Sequence, residues 1–307
     1  MSRRRRLTLV VIAVLLCAGV AGTAWLLRDP TPHFRERRAA LAAVSEGEPV
    51  VEDGFSLQEM RVVGTSGLAV DLVVRRALAD SGQTLPLALI LGGHHTGRDA
   101  ARLLGDTHGV IVAALSYPFT GDPRPDALTF LRDIPKIRAA FLDTPPAVML
   151  ALDHLRRLPD VDTARVEMIG VSLGGPFASI AGALDPRISR VWVLHGSGGS
   201  FVPLEANMRR TIGVAPLRYA AAGLANVIIA GPRLDPTRWV GGIAPRPFVM
   251  VNAADDERMP QSAVDALFAA ARAPKDQLWM SGGHVHADRA TIQRLVDVVM
   301  GRVREHP

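Results

Sequence analysis

At 307 residues, 48% of them hydrophobic, the chain is long enough to bury one large core, and a single catalytic-sized domain is expected. The net charge of +5 suggests a basic protein only until its arginines are placed: Arg3, Arg4, Arg5, Arg6 and Arg28 flank one segment, and the rest of the chain balances 30 basic against 30 acidic residues. A basic groove for nucleic acid is therefore not expected. The lone cysteine, Cys17, leaves the body of the chain without disulfides or thiolate metal ligands.

In chain order, Leu7 to Leu27 is an uncharged run of 21 residues behind four arginines, the length and flank of a membrane anchor whose start stays in the cytoplasm. Residues 1–28 are thus read as an anchor that leaves the body outside the cytoplasm, periplasmic or extracellular. A cleaved signal segment releasing a secreted protein is the rival, because Ala18, Gly19, Ala21 and Ala24 offer small residues to a peptidase. Residues 29–55 read as a juxtamembrane spacer with a short helix over 34–44, and residues 56–307 as the folded domain. Gln58 to Val63 and Leu68 to Arg76 are β-prone around Gly64-Thr-Ser-Gly67, a hairpin signal.

Alternating units follow. Strands are expected at 85–91, 110–115, 166–171, 188–194, 248–252 and 277–280, and helices at 98–105, 146–158, 177–184, 262–272 and 290–303. Strands that are apolar throughout need cover on both faces, so the sheet is mainly parallel with helices on each side, and ligands gather at the carboxyl ends of its strands. Residues 196–247 interrupt the rhythm with about fifty residues between two strands. That insertion, with helices near 204–211 and 217–229, is read as a small cap over the site.

The chemistry begins at Gly170-Val-Ser172-Leu-Gly174-Gly175, where a strand turns into a helix. A serine with glycine two residues to either side sits on a turn so tight that it is driven to positive φ and its neighbours have no room for side chains, which exposes its hydroxyl as a nucleophile. Its base and the acid that orients the base are sought at later strand ends, in the order Ser, acid, His. After the strand ending at Asn252 comes Asp255-Asp256-Glu-Arg-Met-Pro260, and after the strand ending at Met280 comes Ser-Gly-Gly-His284-Val-His286. Asp256 and His284 are the candidates, with Asp255 and His286 as alternatives. An oxyanion needs backbone N–H donors, one from Leu173 and a second from Gly93 or His94 in the loop Gly92-Gly93-His94-His95-Thr96-Gly97. Adjacent histidines rarely face one ion, and no carboxylate motif completes a set with His94 and His95, so no metal is expected. His195 ends a strand on the same edge and either lines the pocket or packs, while His154, Trp192 and Trp239 read as structural.

These three stations resemble those of the α/β-hydrolase superfamily. The stretch Asp235-Pro-Thr-Arg-Trp-Val leading to Ile243-Ala-Pro-Arg-Pro247 further resembles its dienelactone-hydrolase and acetyl-xylan-esterase-like branch, over roughly residues 56–304. The resemblance implies an α/β-hydrolase fold and a serine esterase acting on a small-molecule ester; a Ser-His-Asp enzyme needs no cofactor, and no protein partner is predicted. It also departs from the pattern: a dienelactone hydrolase proper uses cysteine where this chain has Ser172. A peptidase or amidase on the same triad, and an inactive fold kept as a binding module, remain as alternatives.

Overall fold

The apolar runs become strands and the amphipathic stretches helices in a computed structural model that describes residues 22, 24–93, 96–122, 124–284 and 289–305. The chain enters through α1 (Thr31–Arg38), β1 (Leu41–Glu46) and β2 (Val50–Glu52), then the hairpin β3 (Phe55–Gly64) and β4 (Ala69–Ala77). Next come β5 (Leu85–Leu91), the one-turn α2 (Ala100–Leu103), β6 (Ile111–Leu115), the long α3 (Ala127–Leu155), β7 (Val161–Val171), α4 (Gly174–Leu184) and β8 (Arg190–Leu194). The insertion carries α5 (Phe201–Met208), α6 (Ala215–Ile228) and α7 (Gly231–Leu234). The chain closes with β9 (Phe248–Ala253), α8 (Gln261–Ala270), β10 (Lys275–Met280) and α9 (Arg289–Glu305).

Among the described residues one sheet runs in the order β1-β3-β4-β6-β5-β7-β8-β9-β10, with β2 beside β3. From β6 to β10 neighbours are parallel, and the β1, β3 and β4 end is antiparallel. The two-residue period of a strand then divides the core. Leu87, Leu89, Met168, Val191, Val193 and Met250 face α3 and α4. Ala88, Ile90, Ile169, Trp192, Leu194 and Val251 face α2 and α9. Trp192 is fully buried there, its indole N–H donating to Glu167 at 2.5 Å, so its role is structural.

The reading of residues 29–55 as a spacer with a helix over 34–44 is corrected. The helix ends at Arg38, and 41–46 and 50–52 are edge strands paired to β3. Tertiary contacts override the Ala-rich composition. Phe34 is fully buried against Trp239, whose own N–H donates to the Arg233 carbonyl. Arg37 is bidentate to Asp143 and Arg38 to Asp153, which pins α1 on α3. His154, buried on α3, faces Glu46 of β1 at 3.4 Å and is structural as well.

Helix α3 also begins about twenty residues earlier than expected. Asp126 caps its start by accepting the Thr129 N–H at 2.7 Å; Pro145 and Pro146 have no N–H to donate, and just before them Thr144 Oγ1 donates to the Ala140 carbonyl one turn back. Helix α2, by contrast, is shorter than the 98–105 expected. Buried Arg75 of β4 donates to the carbonyl of Ala101 within it and to those of Leu104 and Gly105 just beyond it, and stacks on Phe55.

Candidate active site

The parallel strands end at one edge, and each relevant side chain follows one of those ends. Gly92 and Gly93 come after β5, Ser172 after β7, His195 after β8, Asp256 after β9 and His284 after β10. At the first of the chemical stations the glycines are explained by contact distances. A Cβ on Gly174 would lie 2.3 Å from the Leu91 carbonyl oxygen, and one on Gly170 2.5 Å from the Gly174 carbonyl oxygen. The backbone between them is squeezed into a turn in which Ser172 takes φ +52°. Its own N–H donates to the Leu194 carbonyl at 2.8 Å and is therefore already used, and Leu173 follows as the N-cap of α4.

Ser172 Oγ lies 2.9 Å from His284 Nε2, and His284 Nδ1 lies 2.8 and 2.9 Å from the two carboxylate oxygens of Asp256. His284 is 3% exposed. Asp256 is held in turn by the loop that carries it, because its Oδ1 accepts the backbone N–H groups of Arg258 and Met259 at 2.9 and 3.0 Å. Burial pushes the Asp256 carboxyl up, but hydrogen bonds from His195, from His284 and from the Arg258 amide outweigh it and hold the group well below the usual carboxylate range. The structure thus brings Ser172, Asp256 and His284 together. Asp255 is exposed and offers its N–H to the Gly282 carbonyl on the next loop.

Two residues join the site without having been assigned to it. His195 is buried, in the left-handed region at φ +49°, with Nδ1 3.4 Å from Asp256 Oδ2 and its ring edge-on to that of His284. Its place at a strand end was the available signal, but packing against Asp256 is not legible from spacing. Glu257 accepts the backbone N–H of His284 at 2.9 Å, and that bond helps lower its carboxyl to about 2. Nothing but its adjacency to Asp256 marked it.

For the oxyanion, Leu173 and Gly93 both line a cavity of about 450 Å³ that opens at Ser172. A Cβ on Gly92 would fall 2.1 Å from Thr96 Oγ1 and force that side chain to move, and the Gly92 carbonyl accepts the Tyr117 hydroxyl at 2.6 Å. Gly93 faces open space. His94, His95 and His286 lie outside the described residues. His195, Asp256 and His284 present three ligand-type atoms within 4.8 Å of one another, the donor types that zinc accepts. A metal there would have to displace the proton that His284 Nδ1 shares with Asp256.

The helical insertion of residues 196–247 meets this edge at the acid loop. Asn207 donates to the Arg258 carbonyl at 3.1 Å, and Arg210 pairs with Glu257 at 3.1 Å. Among the described residues, none of those lining the cavity at Ser172 comes from the insertion. It braces the loop of Asp256 and Glu257, where a cap over that cavity was expected.

No family profile matches the chain, and no curated protein matches its sequence. Solved structures do. An acetyl xylan esterase from a Paenibacillus species superposes with a TM-score of 0.62 at 17% identity, over 88% of this chain and 90% of its own. Acetyl xylan esterase 1 from a Thermoanaerobacterium species gives 0.62 at 17% identity, over 91% and 93%. A cold-adapted esterase from an Arctic intertidal metagenomic library gives 0.55 at 14% identity, over 85% and all of its own chain. These likenesses, with the mostly parallel sheet, show the α/β-hydrolase fold.

Proposed function

We propose that this α/β-hydrolase-fold chain is a serine hydrolase of carboxylic esters, with Ser172 as nucleophile, His284 as general base and acid, and Asp256 as the group that orients it. The observation that carries the reading is the unbroken line from Ser172 Oγ through His284 to Asp256, at 2.9 and 2.8 Å, on a serine held at positive φ. Neutral His284 Nε2 accepts the hydroxyl proton as Ser172 Oγ bonds to the acyl carbon, and the ionised Asp256 stabilises the imidazolium. The N–H groups of Leu173 and of Gly93 or His94 receive the negative oxygen. His284 returns its proton to the departing alcohol oxygen, leaving an acyl-serine. Water, deprotonated by the same imidazole, then releases the acid and restores Ser172.

The reading predicts that Ser172→Ala lowers kcat on a short-chain nitrophenyl ester by about 10⁴-fold or more without changing the melting profile, and that a fluorophosphonate labels the unmodified protein at Ser172. Unchanged turnover would sink it.

On sequence grounds the domain is placed outside the cytoplasm, held by residues 7–27. Among the described residues no helix is long and apolar enough to cross a membrane, and residues 7–21 and 23 lie outside them. A carboxyl-terminal reporter that is active only outside the cytoplasm tests this placement. Signal is expected, and silence reverses the topology.

A further inference from the structure

The cavity at Ser172 has an interior that ester hydrolysis alone does not require. Its floor is the sheet face on the α9 side: Ile90 of β5 beside Ile169 of β7, and Val171 of β7 beside Leu194 of β8, paired across the parallel ladder. Its roof is one stripe of α9, Ile292, Leu295, Val296, Val299 and Met300, spaced at three and four residues as one helix face must be. The side wall is Ala100 and Leu103, the first and last residues of α2, with Leu104 just after it. Because α2 is a single turn clamped by Arg75, it leaves the space between α9 and the sheet only partly filled.

Among the described residues, the polar side chains of the lining are those of Ser172, His284, Arg258 and Thr96. The direction of α9 sets the depth. It leaves the catalytic edge and runs back over the sheet, since the Arg302 carbonyl near its end meets Arg190, the first residue of β8. Ile292 is therefore near the mouth and Met300 is deep. Eight residues of helix span about 12 Å, and three residues of β7 from Ser172 back to Ile169 about 10 Å. The space is thus an elongated slot with mostly apolar walls and the nucleophile at one end. Apolar walls of this kind favour apolar ligands.

We propose that this slot binds an unbranched aliphatic chain of the ester, about ten carbons long, so that the preferred substrates are medium-chain esters and not acetates. The length follows from the depth of about 12 Å traced along α9 from Ile292 to Met300. The inference rests on the hydrolase reading above, and it is tested by measurements that separate the two.

Nitrophenyl esters from acetate to dodecanoate, and n-alkyl acetates of the same lengths, form two arms that distinguish a chain on the acyl side from one on the alcohol side. At about fourfold per fully buried methylene, kcat/KM in one arm should rise by at least about 100-fold between two carbons and ten, then level or fall. A flat profile in both arms, in protein whose Ser172 reacts with a fluorophosphonate, overturns the slot and leaves the hydrolase intact. Val299→Phe should move the optimum to shorter chains and Val299→Ala to longer ones. Two folded variants with the parental profile count against the proposal. Independently of turnover, Ser172→Ala protein should bind decanoate at least tenfold more tightly than acetate by calorimetry. Equal binding overturns the slot even if no ester is ever cleaved.

Discussion

Asp256→Asn discriminates most sharply between an orienting carboxylate and a merely buried one, because the two ends of the side chain have different partners. Oδ1 accepts two backbone N–H groups, from Arg258 and Met259, and lies 2.9 Å from His284 Nδ1, while Oδ2 has no backbone donor among the described residues and faces His284 Nδ1 at 2.8 Å and His195 Nδ1 at 3.4 Å. The introduced carboxamide has one oxygen, and only that oxygen satisfies the two amides, so its NH₂ must turn toward His284. It then donates to Nδ1, which forces the ring proton onto Nε2. Nε2 now donates toward Ser172 Oγ, 2.9 Å away, and no longer accepts from it. The base is lost with the geometry preserved, a change worth about 10⁴ in kcat in the Ser-His-Asp template. Replacing charge-assisted hydrogen bonds with neutral ones should also cost about 1–3 kcal/mol of stability.

Steady-state kinetics on a nitrophenyl ester, with urea melts on the same preparations, read both effects. Exposed Asp255→Asn is the control and should stay within about twofold, as surface changes usually do. If Asp256→Asn retains more than a tenth of parental kcat, the orientation argument fails.

Acidification offers a second handle on that carboxylate. Its folded-state pKa is depressed, so the stability it contributes is full above the unfolded value near 4 and is lost as pH falls through the folded one. The stability gap between parent and Asp256→Asn should therefore be constant at neutral pH and close below about pH 4; a gap that widens on acidification contradicts the sign. His195→Phe keeps the ring volume but removes a hydrogen-bond partner of Asp256, and kcat should fall about tenfold with KM little changed. Activity within twofold would make His195 a packing residue only. Tyr117→Phe leaves the Gly92 carbonyl without its hydroxyl donor, and a loss of about 1 kcal/mol in urea denaturation is expected. Gly174→Ala drives a methyl into the Leu91 carbonyl, an immovable backbone atom, and should destabilise by about 1–3 kcal/mol in the same assay. A neutral result would mean that the turn is looser than its 2.3 Å contact implies.

Much of the parallel half of the molecule was legible because its physics is local. Strands such as Leu85–Leu91 are apolar at every position, which only a sheet covered on both faces tolerates, and the helix signals between them place successive strand ends on one edge. Ser172 was legible for the same reason, since glycines at 170 and 174 report a steric demand within five residues. The antiparallel edge was not. Residues 41–52 carry weak β propensity, and what makes them strands is pairing with β3 together with the anchoring of α1 through Phe34, Arg37 and Arg38 by residues more than a hundred positions away.

The sequence by itself determined the order Ser172, Asp256, His284 and the edge on which they lie, because strand direction and turn chemistry are written in short windows. Only the tertiary structure decided between neighbours within a window. Asp256 and not Asp255 meets His284: in the turn after β9 the Asp256 carboxylate faces His284 while Asp255 is exposed. His195 joins Asp256 because β8 and β9 are adjacent. The space beneath α9 likewise belongs to no segment, being the distance left between a helical stripe, a sheet face and a one-turn helix that lie far apart in the chain.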